Sequence, residues 1–271
     1  MTKIPSNGFY QPTDNVLLNS VGMVEVYPRT AADEMHLSNP DFLVSGVAVE
    51  KIIASCVPGV KDPRFLPIND AHVLLLAIQK ASKGSDYSVE LSCPECEADQ
   101  RFAYNLDYLL SSIDEMPEET YIVLDEDNEL VAHLAPWSLS AHNANFYDMY
   151  KMMQHGKIID AQKASGTISA ADYQLEKDKM VTYFSEKSIS VLVHCITSIS
   201  VAGQHETNKS AILEFLNNCV AQYATAIGDK VATINNSGVN PQSHTCKECG
   251  HEWKSTPEFN PTTFFVPRSP T

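Results

Sequence analysis

Two short segments of this chain carry the residue types with the strongest chemical meaning, Cys93-Pro94-Glu95-Cys96 and Cys246-Lys247-Glu248-Cys249-Gly250. A C-x-x-C turn lets two thiolates point at one ion, and two such turns complete the four-sulfur tetrahedron that zinc takes at about 2.3 Å per bond. Cys93, Cys96, Cys246 and Cys249 are therefore expected to bind one structural Zn2+ per chain. Compact zinc ribbons separate their pairs by about 15 to 20 residues, whereas roughly 150 residues lie between Cys96 and Cys246, which makes the expected site a long-range clasp. Gly250 is free to adopt the positive φ that such a turn needs. Trp253 and Phe102 are placed to shield the thiolates from water. Four thiolates leave no open coordination position, which argues against a catalytic ion. His244 or His251 could replace one sulfur, and iron accepts the same four thiolates.

Other chemistries find less support. A thioredoxin-like redox pair would open a helix after a βαβ pattern, and neither C-x-x-C does. The chain contains no H-E-x-x-H, G-x-S-x-G, Walker loop or G-x-G-x-x-G, and Pro94 stands after Cys93 rather than before it as a deaminase signature requires. The adjacent carboxylates Asp33-Glu34 and Glu118-Glu119 point apart on any regular element, so no catalytic residue is assigned. Seven cysteines are present, and the remaining Cys56, Cys195 and Cys219 lie in apolar helical surroundings that suit buried, inert thiols.

The elements around the cysteine pairs read as follows. The first 65 residues are rich in Pro, Asn and Ser and suggest an arm, with one strand-like run from Val16 to Tyr27 and a helix from Val44 to Cys56. Asn69 or Asp70 is expected to cap a buried helix that contains Val73 to Ile78 and stops at Gly84. Tyr87, Val89 and Leu91 alternate before the first pair and Phe102, Tyr104 and Leu106 after it, which predicts a hairpin. A second hairpin is expected from Tyr121 to Leu134 about the acidic turn Asp125 to Asn128. Beyond Pro136 a helix capped by Ser138 or Ser140 should run to Gly156, with Leu139, Phe146, Met149, Tyr150 and Met153 as its core stripe. A longer helix should span Ser169 to Cys195, followed by a short strand at Ile199 to Val201, a helix capped by Ser210 and an apolar stretch from Val220 to Ile227. No solenoid-type repeat is present, although the two cysteine turns resemble one another.

The formal net charge is −15. Phosphate neutralisation needs clustered Lys and Arg, so a nucleic-acid-binding zinc ribbon is a weak rival: Lys247, Lys254 and Arg101 face Glu95, Glu97, Asp99, Glu248 and Glu252. The acidic runs at 112–119 and 125–129 suit solvated loops, or a basic partner. No apolar run approaches the roughly 18 residues of a membrane span, and the first residues lack a signal-peptide core, which points to a cytoplasmic protein without a membrane partner.

Several segments taken in order resemble a known family. They are Ile4-Pro5-Ser6-Asn7-Gly8, the run Asp70-Ala71-His72-Val73-Leu74-Leu75-Leu76-Ala77-Ile78 leading to Gly84-Ser85-Asp86-Tyr87, the two cysteine segments continued through His251-Glu252-Trp253, and the closing Phe259-Asn260-Pro261 with Phe264-Phe265. Together they resemble the baseplate protein family of contractile-tailed phages that includes the T-even baseplate hub subunit. Lys83-Gly84-Ser85 departs from the pattern where an aromatic is expected beside the glycine. The resemblance implies a non-enzymatic virion protein of the tail baseplate, present in the host cytoplasm during assembly. It implies binding to other baseplate and tail proteins, with a second copy of itself as a further candidate, and no small-molecule substrate. It also carries the zinc-ligand positions over to Cys93, Cys96, Cys246 and Cys249. An assembly chaperone absent from the mature virion is the alternative.

The expected fold is α+β, with split zinc-ribbon β-hairpins and a mainly α-helical insertion. Its expected segments are an arm and start of the core (1–66), the core helix with the first knuckle and hairpins (67–135), the helical insertion (136–236), and the second knuckle with an extended aromatic tail (237–271). That tail and the arm bearing Phe9 and Tyr10 could cover the protein's own core or insert into a neighbour.

Overall fold

A computed structural model describes residues 1–256 apart from 11, 13 and 119. The expected aromatic tail at 259–267 lies outside the described residues. The protein is α+β. In chain order it forms α1 (Ala31–Leu37), α2 (Pro40–Val44), α3 (Val47–Cys56), α4 (Ile68–Lys83), β1 (Asp86–Ser92), β2 (Asp99–Asn105), α5 (Leu106–Ser111) and β3 (Ile113–Asp114). Next come β4 (Tyr121–Asp125), β5 (Leu130–Leu134), α6 (Leu139–Ala164), α7 (Ala170–Cys195), β6 (Ile196–Val201), β7 (Gln204–Glu206), α8 (Lys209–Asn218) and α9 (Ala221–Asn235). The last described elements are β8 (Gly238–Val239), β9 (Gln242–Thr245) and β10 (Glu252–Ser255). Two compact units result, one of Met1–Glu118 with Asn236–Thr271 and one of Glu119–Asn235.

In the first unit α4 is the central element. Its apolar residues occupy every face, so it is stable only when surrounded, and Val73, Leu74, Leu75, Leu76 and Ile78 are all buried. Each fully buried aliphatic side chain contributes about 1.5–3 kcal/mol. Pro67 occupies its N-cap without a side-chain hydrogen bond. Asp70, expected as a cap, reaches the N-terminal segment: its carboxylate accepts from the Ser6 N–H at 2.9 Å and from the Ser6 hydroxyl. The Met116 N–H donates to the Pro5 carbonyl at 2.8 Å, Thr2 bridges Val24, and Ile4 and Val24 are buried. The expected arm is thus stitched into the core over its first residues, while Phe9 stays exposed.

The strand predicted from Val16 to Tyr27 does not form, because Asn19 folds the segment back. Its side-chain oxygen accepts from the N–H groups of Val21 and Met23 at 3.0 and 2.9 Å, leaving two isolated bridges, Thr2 to Val24 and Val16 to Val60. The helix predicted from Val44 begins at Val47, and α1 was not foreseen although Thr30 and Asp33 form its capping box.

Burial pushes the Asp70 carboxyl up to about 7, against the two Ser6 hydrogen bonds that favour its charged form. Because the folded value exceeds the free value of 3.8, Asp70's contribution to stability is fully present below pH 3.8 and is lost as pH rises through about 7. Urea denaturation of the protein should therefore show stability falling between about pH 4 and 8, by at most about 1.4 kcal/mol per unit from this group. Asp70→Asn keeps an acceptor for Ser6 and should flatten the slope; an unchanged slope would contradict this assignment.

The second unit is built on the antiparallel sheet β4-β5-β6-β7. Ile122, Ala132 and Ile199 stand in register on its inner face, over which α8, α9 and the end of α7 pack Ile212, Leu216, Ile227, Val231, Ile234 and Val193. The hairpin expected within 67–135 pairs with β6 and so belongs to this sheet. Asn208 caps α8 rather than Ser210, accepting from the Ser210 and Ala211 N–H groups.

α6 departs from its expected form in two ways. The helix runs through Gly156 to Ala164, because Gly156 is the point where Met180 of α7 approaches: a Cβ there would lie 2.8 Å from the Met180 methyl. The predicted core stripe is also only partly inside. Leu139 is buried and Met149 half-buried, but Phe146, Tyr150 and Met153 are exposed, standing about 90° round the helix from Gly156, where Met180 of α7 packs.

Candidate metal centre

The two knuckles are built alike. β1 and β2 pair with Val89 opposite Phe102 and Leu91 opposite Gln100, and the turn between them places Cys93 and Cys96. The Cys93 N–H donates to the Ala98 carbonyl at 3.0 Å, and the Glu97 N–H returns to the Cys93 carbonyl at 2.9 Å. In the second hairpin Trp253 lies opposite His244; the Cys246 N–H donates to the His251 carbonyl at 2.8 Å, and the Gly250 N–H to the Cys246 carbonyl at 3.0 Å. Glu97 and Gly250 occupy the same place in the two turns, with φ of 60° and 74°.

Left-handed backbone costs a residue with a Cβ about 1–2 kcal/mol. Glu97→Gly should thus leave the knuckle as stable or more stable by up to about 1 kcal/mol, whereas Gly250→Ala, whose Cβ meets nothing within 4 Å, should lose about 1 kcal/mol from backbone strain alone. Thermal midpoints of the two variants should move apart; a shared downward shift would contradict the equivalence of the turns.

Cys93 Sγ lies 3.7 Å from Cys249 Sγ and Cys96 Sγ lies 3.6 Å from Cys246 Sγ, each pair spanning the two knuckles. All four sulfurs fall within 4.8 Å of one another, close enough to bind a metal ion. The edge of a zinc–thiolate tetrahedron with bonds of 2.3 Å is about 3.8 Å, so the residues present fit such a group. The first cysteine of each knuckle is buried and the second exposed.

The surroundings favour thiolates unequally. The Cys249 N–H aimed at Cys246 sulfur lowers that thiol to about 6, with desolvation opposing and the Glu248 N–H assisting. The Ala98 N–H lowers the Cys96 thiol, but the Cys249 sulfur, desolvation and the sulfurs of Cys246 and Cys93 together outweigh it and push that thiol up to about 12. Converging sulfurs of this kind resist full ionisation until a cation joins them.

Gln100 was not foreseen. Its amide donates to Cys246 Sγ at 2.8 Å and its carbonyl accepts from the Lys247 N–H at 2.9 Å, so one side chain from the first hairpin holds the second knuckle. Its place opposite Leu91 in the strand pairing gives no cue to this role. Phe102 and Trp253 meet edge to face, with centroids 5.7 Å apart, and both pack on His244 at 4.7 and 5.3 Å. His244 Nε2 lies 2.9 Å from Ser255 Oγ and 3.3 Å from Tyr104 Oη, and burial holds the imidazole below its usual pKa. His251 stacks on Trp253. The four-cysteine cluster includes neither histidine.

Of the other cysteines, Cys56 and Cys195 are buried, and burial pushes their thiols up to about 11 and 12. Cys219 is only half-buried at the end of α8.

No curated protein and no solved structure is significantly similar to the chain. A family model described as T4 bacteriophage base plate protein matches residues 31–266, a span that contains both knuckles and the whole second unit. The chain therefore belongs to the T4 bacteriophage base plate protein family.

Proposed function

We propose that the protein is a structural component of a phage tail baseplate, hub or hub-associated, that acts by binding other baseplate and tail proteins and is clasped by one Zn2+. The observation that carries this reading is the convergence of two C-x-x-C turns, 150 residues apart, in a chain of a baseplate family. Cys93, Cys96, Cys246 and Cys249 would hold the ion, and the hairpins β1-β2 and β9-β10 would then form the two halves of a split zinc ribbon. When bound, the ion supplies a cross-link and no reactive position, because four sulfurs saturate it. Gln100 orients the Cys246 sulfur, and the Phe102, His244 and Trp253 cluster fixes one hairpin against the other.

Binding is therefore the mode of action, with no catalytic step assigned. A net charge of −15 disfavours contact with nucleic acid, and among the described residues no helix is long and apolar enough to cross a membrane. The place of action is the tail baseplate of the virion, reached from the host cytoplasm during assembly. Mass spectrometry of purified particles and of infected-cell lysates tests this. A constant number of copies per particle is expected, and presence in lysates with absence from particles would replace the component by an assembly chaperone.

A further inference from the structure

One side of α6 faces its partner in the helix pair: Met180 of α7 packs on Gly156, and at 100° per residue Met149, Met152 and Ile159, all buried or half-buried, share the side of Gly156. At 100° per residue a second stripe, Phe146, Tyr150, Met153 and Lys157, stands about 100° further round the helix. Among the described residues it is only partly covered: Phe146, Tyr150 and Met153 are 43%, 38% and 55% exposed and Lys157 is exposed as well, with the Phe146 ring stacked on His142 of the preceding turn. Three large apolar side chains in a row on solvent mark an interaction surface.

The sequence of this stripe says what fits it. The spacings of four, three and four residues read the same in both directions. If a second α6 crosses antiparallel about a two-fold axis between Tyr150 and Met153, Phe146 of each copy meets Lys157 of the other, and Tyr150 meets Met153. Both are favourable pairs, an ammonium over an aromatic face and a thioether against an aromatic ring, and each forms twice.

Charge favours the same occupant. Residues 139–195 contain six lysines and six aspartates or glutamates, a net charge of zero, so the whole −15 resides elsewhere. Two copies of so acidic a chain repel through the rest of their surface and can approach along this hairpin. The nearby carboxylates of Asp148 and Asp160 are already paired with Lys187 and Lys177 of α7.

We propose that this face is a self-association surface through which two copies of the chain pair, α6 against α6 in antiparallel register. The pairing deepens the assembly role proposed above, by naming a surface and an occupant, and does not depend on the metal, because the stripe lies in the other unit.

Sedimentation equilibrium of the full chain, with metal content measured on the same samples, separates the two claims. A dimer of twice 29.9 kDa is expected. Phe146→Lys sets like charges against each other across the axis and should weaken association at least tenfold, with helix content and metal content unchanged. Adding Lys157→Glu to that variant should restore the dimer, because the swapped charges now meet as ion pairs. A wild-type chain that stays monomeric at high micromolar concentration overturns the proposal. So does a dimer indifferent to Phe146→Lys, or one that the double variant fails to recover. A monomer whose Phe146→Lys variant is excluded from particles assigns the face to a different baseplate protein, and also overturns self-pairing.

Discussion

Cys93→Ser and Cys246→Ser are each expected to remove the proposed ion completely, although the two residues stand on different hairpins. A site of two independent knuckles would lose half its metal in each variant, whereas a shared tetrahedron of sulfurs, with cross-knuckle separations of 3.6 and 3.7 Å, fails as a whole. The effect on stability is large. Structural zinc contributes about 10–16 kcal/mol of apparent binding free energy in small domains, and closing a loop of 150 residues costs the unfolded chain about 5 kcal/mol. A loss of several kcal/mol is therefore expected in the first unit. The second unit has its own sheet and core and should keep its transition, so heating the variants should show an early step followed by an unchanged later one. A single unshifted transition would show that the ion does not hold the first unit together.

Removing residues 119–235 and joining 118 to 236 through a short Gly-Ser linker should leave a first unit that folds and binds the ion. β3 and β8 pair across the excision, Asp114 opposite Gly238, and paired antiparallel residues have their Cα atoms about 4.5–5.5 Å apart. The chain ends flanking the insertion are thus already held close together by the first unit itself. Shortening the spacing between the knuckles from 150 to about 35–40 residues lowers the closure entropy by two doublings, or about 1.2 kcal/mol. The trimmed protein should bind zinc at least as tightly as the full chain in chelator competition. A soluble but metal-free product would mean that the insertion helps to form the clasp.

Features that depend on neighbouring residues were legible in the sequence. A C-x-x-C turn carries its own chemistry, the apolar run of α4 has no stable exposure, and the alternation about the first knuckle and the helical apolar spacing from Ser169 to Cys195 marked β1, β2 and α7 close to their observed limits. Features set by distant partners were not. Nothing local tells that Asp70 meets Ser6, that Asn19 turns a strand-like run back on itself, or that Gln100 bridges the knuckles. Gly156 read as a helix terminator because Met180, the reason for a glycine there, comes 24 residues later. The stripe of Phe146, Tyr150 and Met153 read as core for a related reason: an apolar helix face buried in the fold and one kept for a partner have the same periodicity.

The central claim, one zinc ion shared by two distant knuckles, is tested most directly by elemental analysis of the purified protein beside Cys93→Ser and Cys246→Ser. One zinc per chain in the parent and none in either variant is the predicted result. No bound metal in the parent, or metal retained in one of the two variants, would contradict it.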